Sequence, residues 1–230
     1  MSIKTVTAVG DAQIDTAQFK FGAASGLFDG TGDALTVPDN DDWTFGDFTV
    51  ELWFRRATTS DGGLFGQMTG NPGPRYTMYQ EAGVLKLYYH DGTATRIAIA
   101  GATAIANTTW YSAAFVRSGD DFTIYLDGTR EATANYAAGT LNFTGVFTIG
   151  DDATSGFYFN GHIDEIRVTK SALYTGASYT VPTSALTAGA NTALLLHCEG
   201  ADASTTFTDN SVATVSTAKQ PANIAMLGVG

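Results

Sequence analysis

Along most of the chain, apolar residues recur at every second position rather than every third or fourth, the pattern of strands with one face turned to a core. The clearest run is 48–56, where Phe48, Val50, Leu52 and Phe54 share one face and Thr49, Glu51, Trp53 and Arg55 the other. Residues 84–90 repeat it, with Leu85, Leu87 and Tyr89 set against Val84, Lys86, Tyr88 and His90. A turn at Glu81, Ala82 and Gly83 joins this strand to one over 75–80. A second hairpin links 108–117 to 121–127 through Ser118, Gly119 and Asp120, with Phe122, Ile124 and Leu126 facing inward. Further strands are expected at 3–9, at 34–37 before Pro38, at 130–133 after Asp127 and Gly128, and at 141–149 with Gly145 as a bulge. At least ten short strands, and no helix beyond a turn at 171–174, predict an all-β fold of two packed antiparallel sheets.

One strand breaks its own pattern. In 157–170, FYFNGHIDEIRVTK, alternation puts Asp164 on the same face as Ile166 and Val168, and Glu165 and Arg167 on the opposite one. If the isoleucine face is core, Asp164 enters it, at a cost unless backbone N–H groups, a cation or a metal satisfies it. The residues favour a hydrogen-bonded aspartate clamping a nearby loop, with a cation ligand as the second reading. Trp53, on the polar face of its strand, is expected to pack under a crossing loop, the other reading being a platform for a sugar ring. Tyr88 and His90, beside the Asp91–Gly92 turn, form a polar-aromatic pair of the kind that lines shallow ligand surfaces. The acidic run 39–42 reads as a solvated turn, because an EF-hand loop needs an acid twelve positions on and Val50 or Leu52 stands there.

Composition narrows the function classes. At 230 residues and 44% hydrophobic, the chain suffices for one sizeable core, expected over residues 1–211, with a tail at 212–230 that is docked or disordered. A formal net charge of −11, with twelve scattered Lys and Arg, argues against a nucleic-acid partner. Cys198 is the single cysteine, so no internal disulfide forms. No apolar stretch suits a signal peptide or membrane insertion, so the expectation is synthesis in a host cytoplasm followed by release through lysis or assembly.

Taken together, FTVELWFRR, TTWYSAAFVRSGDDFTIYLDG, FTIGDD and FYFNGHIDEIRVTKSALYTG resemble the concanavalin A-like lectin/glucanase superfamily, and within it the laminin-G-like domains of bacteriophage virion and tail proteins. The resemblance runs from about Thr5 to Asp209 and implies a jelly-roll sandwich that binds carbohydrate or a partner protein. One departure stands out. The segment ALLLHCEGADASTTFTDNS, similar to the usual first strand of such domains, lies at 193–211, while KTVTAVGDAQID opens the protein at Lys4. Either the domain is circularly permuted, with 193–199 closing its own sheet, or the strand is donated to a neighbouring subunit, or it begins a truncated second repeat. Tandem spacing within one chain favours the first.

The resemblance requires no cofactor but implies a structural calcium between the first-strand loop and the final-strand aspartate, and the matching positions are Asp164 and Asp209, with Asp29 nearby. Glycosidases of the superfamily aim alternating carboxylates into one groove; here Asp164 and Glu165 are adjacent and His162 stands where the first acid would be, so no enzyme activity is expected. Two roles remain. A virion structural or decoration protein would assemble with virion proteins or sister subunits, located in the virion, docking through its surface and the small, apolar 219–230 tail, and the phage-like resemblance, the lack of a secretion signal and the single cysteine favour it. A lectin module would instead meet cell-surface glycans through exposed Trp53, Tyr88, His90 and Tyr158.

Overall fold

The computed structural model describes residues 1–70, 73–154 and 156–211, so the tail expected at 212–230 lies outside the described residues. In chain order the first strands are β1 (Thr7–Val9), β2 (Gln13–Asp15), β3 (Ser25–Asp29), β4 (Ala34–Val37), β5 (Thr44–Phe45) and β6 (Phe48–Arg56). Next come β7 (Gly62–Met68), β8 (Arg75–Glu81), β9 (Val84–His90), β10 (Thr95–Ala100), β11 (Tyr111–Ser118) and β12 (Asp121–Leu126). The last are β13 (Thr129–Asn135), β14 (Leu141–Asn142), β15 (Phe147–Ile149), β16 (Asn160–Thr169) and β17 (Thr192–Leu196). Among the described residues one 3-10 turn, Asp41–Trp43, capped by the Asn40 side chain, occupies the acidic run.

Fifteen of these strands form two antiparallel sheets, and β5 pairs with β14 in a separate two-stranded ribbon. A seven-stranded sheet has the order β1-β4-β15-β7-β8-β9-β10, and an eight-stranded sheet runs β13-β12-β11-β6-β16-β3-β2 with β17 also paired to β16. The alternating apolar faces meet between them: Phe48, Val50, Leu52 and Phe54 of β6 share one core with Leu85 and Leu87 of β9. Aromatic rings fill its centre, with Phe48 edge-on to Phe115 at 4.9 Å and Trp43 stacked on Phe147 at 5.0 Å. This is the sandwich that period-two patterning predicts.

β16 is flanked on one side by β6 and on the other by two strands in succession, β3 against Asn160 to Ile163 and β17 against Ile166 to Thr169. The leucine strand thus pairs within its own chain, and the segment after it runs beside the amino-terminal residues. There Ile14 N–H donates to the Ser204 carbonyl at 2.7 Å, Lys4 N–H donates to Asp209 Oδ2 at 2.7 Å, and Thr5 bridges Thr208.

The structure corrects the expected facing of Asp164. Between Asp164 and Arg167 the pairing with β6 shifts register, and Glu165 takes a left-handed φ of 53°, so β16 carries a bulge. An extra residue inverts the alternation on one side of it. Ile163 pairs with Phe54 and Val168 with Val50, both in the core, whereas Asp164 pairs with Trp53 on the outer face. Strand boundaries also differ: the strand expected at 3–9 is confined to Thr7–Val9, and the one expected from 108 begins at Tyr111. Residues 157–159 are not strand, and 141–149 is two short strands, β14 and β15, in different sheets rather than one strand bulged at Gly145. Backbone packing explains that break, since a Cβ at Gly145 would stand 1.7 Å from the Met68 carbonyl oxygen.

Candidate functional site

The seven-stranded sheet leaves part of its outer face open, and the sequence of β7 decides where. On that face β7 presents Gly63 and Gly66, which pair with Tyr79 and Thr77 of β8. With no side chains there, the loop after β15 lies directly on the sheet: a Cβ at Gly63 would be 2.2 Å from the Asp152 nitrogen, and one at Gly66 2.8 Å from the Asp152 carbonyl oxygen. Asp152 and Phe157 of this loop therefore form a wall beside β8. The floor follows from alternation. Tyr76 and Met78 of β8 and Leu87 and Tyr89 of β9 enter the core, so Arg75, Thr77, Tyr79 and Glu81 face outward with Tyr88. On β10 the residue opposite Tyr88 is Ala98, small and exposed, which leaves that flank low. The result is a cleft of about 260 Å³ lined by Arg75, Thr77, Tyr79, Glu81, Tyr88, Asp152 and Phe157.

Its aromatic rings are held in place. Tyr79 and Phe157 meet edge-on at 5.7 Å across the cleft. The Tyr88 ring lies nearly parallel to His90 at 6.3 Å, its hydroxyl shares a 2.7 Å hydrogen bond with Thr95 Oγ1, and the Arg75 guanidinium carbon stands 4.8 Å from its centroid. His90 Nδ1 accepts the Gly92 N–H at 2.9 Å, which leaves the proton of the neutral ring on Nε2. Burial, helped by Glu81, raises the Tyr79 pKa above that of a free phenol, so it stays a neutral hydroxyl. Glu81 is ion-paired with Lys86, and Asp152 Oδ1 accepts from Thr154 N–H at 3.0 Å. The cleft thus offers aromatic surface with donors at one end and carboxylates along the rest.

Of the four residues expected to meet glycan, Tyr88 lines this cleft and His90 stands next to it on the same face. Tyr158 does not line it; its neighbour Phe157 does. Trp53 is on the other sheet and is only 5% exposed. Phe21 meets its ring edge-on at 5.7 Å and Lys20 Nζ sits 3.9 Å from its centroid, so the ring packs under a crossing loop and offers no sugar platform. Arg75, Tyr79 and Asp152 escaped the sequence reading. The signal for the first two was the polar side of β8, where Arg75, Thr77, Tyr79 and Glu81 alternate with Tyr76, Met78 and Gln80.

The carboxylates expected to hold calcium do not come together. Asp164 is fully buried, its Oδ2 accepting from Lys20 N–H at 2.9 Å and Phe21 N–H at 3.2 Å and its Oδ1 from Glu165 N–H at 2.8 Å. Asp209 accepts from the N–H groups of Lys4, Leu195 and Ser211. Asp29 accepts from Thr31 N–H at the far end of β3. Oxygens already directed at N–H donors do not fit a cation shell. Among the described residues, no group of three or more His, Cys, Asp and Glu is arranged to hold a metal ion. Glu165 is likewise engaged, accepting Leu186 N–H at 2.6 Å and facing His197 Nδ1 at 2.9 Å.

A family profile described as the concanavalin A-like lectin/glucanases superfamily, Laminin_G_3, matches residues 29–176. No curated protein matches the sequence significantly. Among solved structures, domain 4 of AbnA, an extracellular arabinanase of Geobacillus stearothermophilus in complex with arabinotriose, is similar with a TM-score of 0.57 at 18% identity, over 74% of this chain and 84% of that one. A putative carbohydrate binding protein of Bacteroides ovatus is similar with a TM-score of 0.52 at 14% identity, over 91% of this chain and 58% of its own. Botulinum neurotoxin type C, whose cell entry depends on two ganglioside molecules, gives a TM-score of 0.56 at 13% identity, over 74% of this chain and 44% of its own. At these identities the likeness is one of fold.

Proposed function

The chain belongs to the concanavalin A-like lectin/glucanase superfamily, and from that premise we propose that it is a non-enzymatic carbohydrate-binding module whose ligand lies in the cleft on β8 and β9. The observation that carries the reading is the open aromatic lining itself: Tyr79, Tyr88 and Phe157, flanked by Arg75, Asp152 and Glu81, on the sheet face that no loop among the described residues covers at β8–β10. Sugar rings present apolar C–H faces and hydroxyl edges, which such a mixture of rings and polar groups matches. Named relatives of the same fold that bind arabinotriose or gangliosides support it as analogy. Binding is favoured over hydrolysis because glycosidases need two free carboxyl groups about 5–10 Å apart across the scissile bond. Here Glu81 is paired with Lys86 and Asp152 is hydrogen-bonded to Thr154. In a virion appendage, the context its phage-like sequence suggests, the module would be the part that touches a glycan surface.

A glycan array probed with the full chain, followed by calorimetric titration of the hits, tests the proposal. Tyr88→Ala and Tyr79→Ala are each expected to weaken binding about tenfold or more. Binding to no glycan, or binding indifferent to both substitutions, would overturn it.

A further inference from the structure

Resting on that reading, we infer that the cleft's preferred ligand is a glycan carrying one carboxylate-bearing sugar, with the carboxylate seated on Arg75. The Arg75 side chain has no ion-pair or hydrogen-bond partner among the described residues; its guanidinium is instead positioned by the Tyr88 ring at 4.8 Å. A ring contact fixes the planar group without using its N–H donors, so the whole fork remains for an incoming oxyanion. Lys86, outward on the neighbouring strand, differs in that respect, being paired with Glu81. His90 pairs directly with Arg75 in the β8–β9 ladder and, with Nδ1 accepting from Gly92, carries its free N–H on Nε2. His90 therefore stands beside the Arg75 end of the cleft.

The rest of the lining sets the charge limit. From Arg75 to Glu81 the floor runs about 20 Å, room for several sugar units. Asp152 and Glu81 border it, and the chain as a whole carries −11. A ligand charged along its length would bring anions against those carboxylates, whereas one carboxylate at the Arg75 end meets only donors. The match is to a uronate- or sialate-type sugar on an otherwise neutral chain, not to a sulfated polyanion.

The test needs no variant for its first arm. The full chain is titrated with a xylotriose carrying a single glucuronate and with its methyl ester, with 3′-sialyllactose and lactose, and with a heparin oligosaccharide. Charge-assisted pairing with a guanidinium predicts that at least one carboxylate form binds about tenfold more tightly than its neutral counterpart, with heparin weaker than either acid. In the second arm Arg75→Gln erases the acid-over-neutral difference and Arg75→Lys retains part of it, with thermal melts verifying that both variants fold. Equal affinity for acid and neutral forms, with neutral glycans bound, would overturn the inference and leave the carbohydrate reading intact. Tightest binding to heparin would overturn it too, and no binding to any glycan would remove both.

Discussion

Two cation–aromatic pairs sit on the outer faces of the two sheets, and they met opposite fates. On the eight-stranded sheet half-buried Lys20 lies 3.9 Å from the Trp53 ring and, with half-buried Phe21, covers it beside the buried Asp164. On the seven-stranded sheet Arg75 lies 4.8 Å from Tyr88 and both line an open cleft. Each aromatic is on the polar side of a cleanly alternating strand, so the difference lies in the loops. The first face is covered because Asp164 draws the backbone of Lys20 and Phe21 down onto it. The second stays open because its loop rests on the glycines of β7, one strand to the side. The same chemistry serves stability in one place and is available to a ligand in the other.

The contrast breaks most sharply at Trp53. Trp53→Ala removes a buried ring and is expected to cost about 3–5 kcal/mol in urea unfolding while leaving glycan binding intact in the folded fraction. Asp164 comes next, and its effect depends on pH. Burial raises its pKa to about 7, against the pull of the three N–H donors. The folded chain therefore prefers the neutral form: Asp164's contribution is complete below about pH 4 and is lost as pH rises through 7. Relative to Asp164→Asn, the wild type should lose on the order of 4 kcal/mol between pH 4 and pH 8, and a difference that stays level would mean the hydrogen bonds outweigh burial. On the open face the same measurement should move little. Tyr88→Ala is expected to cost about 1 kcal/mol of stability or less, and Arg75→Gln within about 0.5 kcal/mol. A large loss in either would mean that the cleft is part of the fold's support.

Strand periodicity made the sandwich legible. The faces of β6 and β9, and the inward side of β12, follow directly from their residues, and Tyr88 with His90 was visible as an outward pair beside a turn. Alternation fails where the count slips. Nothing in the letters HIDEIRV marks Glu165 as the residue that turns left-handed, so Asp164 read as core when it belongs to the outer face. The cleft's wall was hidden for a related reason. Asp152 and Phe157 reach it because Gly63 and Gly66 admit a loop from more than eighty residues away, a tertiary contact that local pattern does not encode. Trp53 shows the converse, since facing outward from a strand does not make a residue accessible.

The split flank of β16 also constrains how the chain reaches its native state. Its central strand must gather partners from near both ends of the sequence, and such long-range pairing makes for slow folding, roughly milliseconds to seconds. Until β17 emerges from the ribosome and docks, the stretch from Ile166 to Thr169 has an unpaired row of backbone donors and acceptors, the kind of edge on which nascent chains associate wrongly. The interval in which this protein is most prone to aggregate should therefore end late, with the arrival of five residues.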